Sequence, residues 1–289
     1  MNIFEDQFKR ASARTPGPDR LTLVVPAFFI LAHLLLMIVG FLLLNVAMDV
    51  FRLDISDMTF TQIGGIIYSI FQIWFFASYL FAWQRHDSSA VLLEKPTPLV
   101  FISIVPLVMG SLGFALIWFE LLYRLAEHIP RISQMLEDYA IMSEAFTHPE
   151  AVWLSILSGS ILIPIAEELL FRGIVFAEFR RAFKPIVAIL LNAAIFAIFH
   201  WNLPQSGYVF VAGIVFAAAY HWSESLWLPI VLHMVYNFFG SDFAQLFLQQ
   251  EEAAIRFATL QIYMIPLSIV FLLALRRQYH VRHGRAATS

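Results

Sequence analysis

The sequence predicts an all-α, polytopic membrane bundle of about eight transmembrane helices. Three observations carry that expectation. Of the 289 residues, 60% are hydrophobic and 13% charged, where a soluble domain carries about 25% charged residues. Apolar runs long enough to enter a bilayer recur from Leu21 to Leu275. Few ionisable groups fall inside those runs, and most of these lie in the second half of the chain.

The expected spans run, in order, over 21–48, 62–83, 97–122, 151–180, 185–201, 206–221, 225–240 and 258–276. The first is too long for a signal-peptide core and is expected to remain as a helix. The fifth to seventh are short for a hydrocarbon core that takes about 20 helical residues, the pattern of spans that tilt or surround a water-filled cavity. Residues 1–20 and 277–289 are expected as tails, with one transmembrane domain over 21–276. The stretch 126–149 reads as a partly helical surface segment.

Lys and Arg set the orientation. Of 18 such residues, Arg172 lies within a span and Arg52, Arg124, Arg131 and Arg256 fall on one side, leaving thirteen on the other. That asymmetry places both termini in the cytoplasm and the 126–149 segment on the opposite surface. The chain has no cysteine, which excludes disulfides, thiolate metal sites and a cysteine nucleophile. Nothing points to a nucleic-acid partner; the partners expected are the bilayer and a membrane-associated peptide or protein.

The stretch PIAEELLFRG, 164–173, places Glu167, Glu168 and Arg172 in an apolar helix, where each charge costs roughly 2.5–3.5 kcal/mol on insertion scales. Glu168 and Arg172 are spaced i,i+4 and share one helix face, so they can neutralise each other. Glu167 is rotated about 100° away and has no local cation, as befits a general base. The same trio also suits a structural ion cluster. In FAIFHW, His200 lies at the depth of Glu167 if the two helices form an antiparallel hairpin. In LHMVYN, His233 and Asn237 share a face at i,i+4, suited to hold an oxyanion or to join two helices. His221, in VFAAAYHW, mimics His200 but is expected at the cytoplasmic edge. His33 and Glu120 have no companions and read as structural.

There is no HExxH, no GxSxG and no glycine-rich phosphate loop. Glu167, His200 and His233 are chemically able to hold zinc, and buried Glu and His also serve proton-coupled transporters. A metal-free hydrolase is the favoured reading: Glu167 and His200 polarise a water, and His233 and Asn237 stabilise the tetrahedral intermediate.

EELLFR at 167–172, FAIFH at 196–200 and HMVYN at 233–237 resemble the EExxxR, FxxxH and HxxxN/B signatures of the CAAX-protease and bacteriocin-processing (CPBP) family. The resemblance covers about residues 150–240. It implies an eight-span glutamic intramembrane endopeptidase with no metal or other cofactor and a cavity open to the cytoplasm. Glu167 matches the general base and His200 the residue that helps to activate water. His233 and Asn237 match the oxyanion site, and Glu168 and Arg172 match supporting positions. The implied substrate is a membrane-associated protein cut near its C-terminus, with or without a prenyl group. A non-catalytic immunity or scaffold protein of the same fold is the alternative.

Overall fold

The computed structural model describes residues 20–52, 56–144, 152–248 and 250–286. Among them are nine helices and no strand beyond a single bridge between Leu93 and Ser225. Helix α1 spans Arg20–Phe51, α2 Asp57–His86, α3 Pro98–Ala126 and α4 Pro130–Glu144. A long run over Val152–Ala182 forms α5. Then come α6, Pro185–Ile198, and α7, Leu203–Ser223. Helix α8 comprises Trp227–Asn237, a π-helical turn Phe238–Asp242 and a last piece Phe243–Phe247. The chain continues through α9, Glu251–Ala286.

Local chemistry sets most of these boundaries. The Ser56 hydroxyl accepts from the Thr59 amide at the start of α2, and the Asn202 side chain does the same for Gln205 at the start of α7. Proline occupies the first turn of α3, α6 and α7, where no amide partner is needed. Trp201 and Glu224 take left-handed backbone conformations that reverse the chain after α6 and α7.

Six helices, α1, α2, α3, α5, α7 and α9, are long and apolar enough to cross a membrane. The expected count was eight, and the two segments that fall short have identifiable reasons. Helix α6 has 14 residues, about 21 Å of rise against a hydrocarbon core of about 30 Å. Helix α8 breaks into π geometry after 11 residues. At its far end α9 continues to Ala286, so the tail expected from 277 begins as helix. The expected N-terminal tail lies outside the described residues up to Arg20.

Helix α5 is the buried axis. Leu170, Phe171, Ile174, Val175, Phe176 and Ala177 are all 0% exposed. By contrast α1 and α9 present Leu31, Leu35, Leu42, Ile269, Val270 and Leu273 outward, as suits helices facing lipid. Helices α3 and α9 cross closely, because a Cβ at Gly113 would lie 2.2 Å from the Gln261 carbonyl oxygen. Helix α4 packs on α3 and α7, a helical form of the surface segment expected over 126–149; residues 145–151 lie outside the described set.

Candidate active site

Glu167 and Glu168 occupy the short α-helical piece Ile163–Glu168, between two π-helical stretches of α5, Ile156–Leu162 and Leu169–Phe176. π-Turns recur at functional sites because they re-aim side chains along a helix. Here the two neighbouring carboxylates diverge as their helical offset requires. Glu167 lines a cavity of about 740 Å³. Glu168 points behind the cavity wall and is wholly buried.

Behind that wall a charged cluster is tied together. Glu168 Oε1 accepts from Arg172 Nη1 at 2.7 Å and from His233 Nδ1 at 2.8 Å. The Arg172 guanidinium, also fully buried, lies 4.4 Å from the Phe196 ring centroid and 5.7 Å from that of Phe216, so two aromatic faces supplement its single carboxylate. Spacing predicted the Glu168–Arg172 pair; it gave no sign that Glu168 also fixes His233.

The bond from His233 Nδ1 to a carboxylate, which only accepts, places a hydrogen on Nδ1. Nε2 then faces Glu167, whose Oε2 is 3.8 Å away. His200 follows the end of α6 and donates from Nδ1 to the Phe196 carbonyl at 2.8 Å, which leaves Nε2 as the acceptor of a neutral ring. The left-handed turn at Trp201 follows directly. Asn237 donates to the Gly159 carbonyl at 2.8 Å, joining α8 to the first π-helical stretch of α5. Its amide has a second hydrogen to offer.

Glu167, His200, His233 and Asn237 thus line one cavity, although they come from α5, the turn after α6, and α8. Apolar walls surround them, with Leu112, Leu116, Phe119, Phe239 and Phe257 among the lining. Among the described residues, no group of three His, Asp or Glu side chains is placed to hold a metal ion.

One buried carboxylate beside the site escaped the sequence reading. Asp242 is 0% exposed and accepts from the hydroxyls of Ser155 at 2.8 Å and Ser160 at 2.6 Å. It bridges the start of α5 to the π-turn of α8, flanking the Asn237–Gly159 contact. It lies two residues past the expected seventh span, in NFFGSD, where its position five residues after Asn237 was the available signal.

The remaining candidates lie apart. His221 does not line the cavity; it lies in the last turn of α7, buried against Phe176 and Tyr279. His33 is buried against Phe76 and Phe199, while Glu120 is exposed and paired with Arg124.

The cavity has a direction. It reaches Ser143 on α4, Gln205 at the start of α7, Leu248 just past α8 and Ala254 in the first turn of α9. All of these lie at the α4 end of the bundle. The expectation from charge asymmetry puts that end on the non-cytoplasmic side, whereas the family resemblance implied a cytoplasmic opening. In this fold the two expectations are incompatible.

Fold and site together define a multi-span helical membrane protein with a buried acid–histidine centre facing a large cavity. Residues 149–239 match the family model described as type II CAAX prenyl endopeptidase Rce1-like. Over 86 residues the chain is 35% identical to the membrane-embedded CAAX protease MroQ of Staphylococcus aureus (strain USA300), covering 28% of this chain and 35% of MroQ. Over 90 residues it is 34% identical to the candidate membrane peptidase YdiL of Bacillus subtilis (strain 168), covering 31% of this chain and 37% of YdiL. The chain thus spans little more than a third of the length of these curated relatives. No solved structure matches it. This segment, which holds all three motifs, is similar to the CPBP family of CAAX-protease-like proteins over residues 149–239.

Proposed function

We propose that the protein is an intramembrane endopeptidase that hydrolyses a peptide bond in a membrane-associated substrate without a metal. The observation that carries this reading is the division of labour between adjacent carboxylates. Glu168 is consumed by Arg172 and His233, while Glu167 is left facing the cavity with His200, His233 and Asn237.

The 3.8 Å between Glu167 Oε2 and His233 Nε2 is a span that one water can bridge. Glu167 takes a proton from that water as its oxygen attacks the scissile carbonyl, and His200 Nε2 helps to orient it. Negative charge develops on the former carbonyl oxygen. In its imidazolium form His233 donates from both nitrogens, Nδ1 to Glu168 and Nε2 into the cavity, and Asn237 adds an amide hydrogen. The C–N bond then breaks, and the proton held by Glu167 passes to the departing amine. The apolar walls suit hydrophobic side chains or a prenyl group on the substrate. The test is cleavage by purified protein of a farnesylated C-terminal CAAX peptide and of its unlipidated twin, with Glu167→Gln as the control.

Two variants separate the site from its surroundings. His221→Ala retains most of the wild-type cleavage rate, because His221 touches neither the cavity nor the buried cluster. A rate as low as that of Glu167→Gln would contradict this assignment. Asp242→Ala strips two buried hydroxyls of their acceptor and loosens the brace beside Asn237. It lowers turnover by about 10–10²-fold, the order of effect expected from misplacing a group by an ångström. Asp242→Asn, which keeps an acceptor, recovers part of that loss. Equal turnover in Asp242→Ala and wild type would contradict the brace.

A further inference from the structure

We propose that the cavity opens on the non-cytoplasmic side of the membrane, so that it receives a peptide segment presented from outside the cytoplasm. The nature of the substrate rests on the peptidase reading above; the direction of the opening does not.

Two independent observations converge. The first is the shape of the cavity. Its deep end lies at Glu167 and His233 and its lining extends to Ser143, Gln205 and Ala254 at the α4 end. Toward the opposite end it is closed by the Glu168–Arg172 pair and by the stretch of α5 from Leu170 to Ala177, in which the large side chains are wholly buried. No residue of the α2–α3, α5–α6 or α7–α8 turns lines it.

The second observation is the distribution of fixed positive charge. At the closed end the described side chains are Lys95 and Lys184 on short turns, Arg85, Arg180 and Arg181 in the last helical turns beside them, and Arg276, Arg277 and Arg282 on α9. The structure confirms that these belong to one end: Arg180 donates to the Ser89 and Ala90 carbonyls, Arg181 pairs with Asp87, and Arg282 reaches the Trp222 carbonyl. At the open end are Arg52, Arg124, Arg131 and Arg256. Short, arginine- and lysine-rich turns are retained in the cytoplasm. Eight against four assigns the closed end to the cytoplasm and the mouth to the opposite face.

The absence of cysteine makes the test direct. Single substitutions Ser143→Cys and Gln205→Cys mark the mouth, and Ser88→Cys and Lys95→Cys mark the closed end. Intact cells producing each full-length variant are treated with a membrane-impermeant maleimide, before and after permeabilisation. The mouth positions are expected to react in intact cells and the closed-end positions only once the membrane is opened. Labelling of the closed end first, or labelling at equal rates in intact cells, overturns the proposal. Because labelling reads no catalysis, an inactive protein with this pattern would sink the peptidase reading and leave the orientation standing.

Discussion

Glu167→Gln abolishes cleavage and leaves the bundle folded. The expected loss is at least about 10²–10⁴-fold, the range a positioned general base contributes. Gln keeps the shape of Glu but cannot accept the proton that attacking water must lose. The substitution is expected to be gentle on the fold because Glu167 faces the cavity and its described ionic neighbour, His233, is 3.8 Å away, beyond hydrogen-bond reach. Unfolding temperature in detergent is therefore expected within a few degrees of wild type. A variant that cleaves at the wild-type rate would remove Glu167 from the chemistry. One that is inactive only because it unfolds would show that the carboxylate acts structurally.

Arg172→Ala is expected to have the largest effect on stability. It strands Glu168 at 0% exposure without its guanidinium, and breaking a buried pair by deleting one partner costs about 3–5 kcal/mol. It also empties the space over Phe196 and Phe216. The protein should accumulate poorly and unfold well below wild type. The double variant Glu168→Leu, Arg172→Met separates the two roles of the cluster. Apolar replacement of both partners is often neutral for stability, so folding should largely recover. Cleavage should not, because His233 Nδ1 loses the acceptor that orients its ring. Recovery of both properties would reduce the cluster to a helix-joining device; recovery of neither would show that no apolar pair fills the site.

Much of this arrangement was legible in the sequence because it is local. The i,i+4 spacing of Glu168 and Arg172 is enough to predict their pairing, and the offset of one residue is enough to turn Glu167 away. His233 and Asn237 share a face for the same reason. What the sequence withheld is tertiary or depends on departures from α geometry. The bond from Glu168 to His233 joins residues 65 apart in sequence, and no periodicity announces it. The π-turns of α5 and α8 leave the pattern of apolar residues unchanged, yet they bring Asp242 against Ser155 and Ser160. The expected count of eight exceeds the six long helices where hydropathy and length disagree: α6 is as apolar as any segment but stops at Ile198, with His200 beyond its end. The direction of the cavity required both the charge asymmetry, which was readable, and the sealed face of α5, which was not.

The central claim is that a carboxylate, without a metal, activates water in this cavity. The most direct measurement is cleavage of the farnesylated and unlipidated CAAX peptides by purified wild type and Glu167→Gln, each with and without a strong zinc chelator. The account predicts cleavage by the wild type that survives the chelator and disappears in Glu167→Gln. Cleavage that persists in the variant, or that the chelator abolishes and added zinc restores, would contradict it.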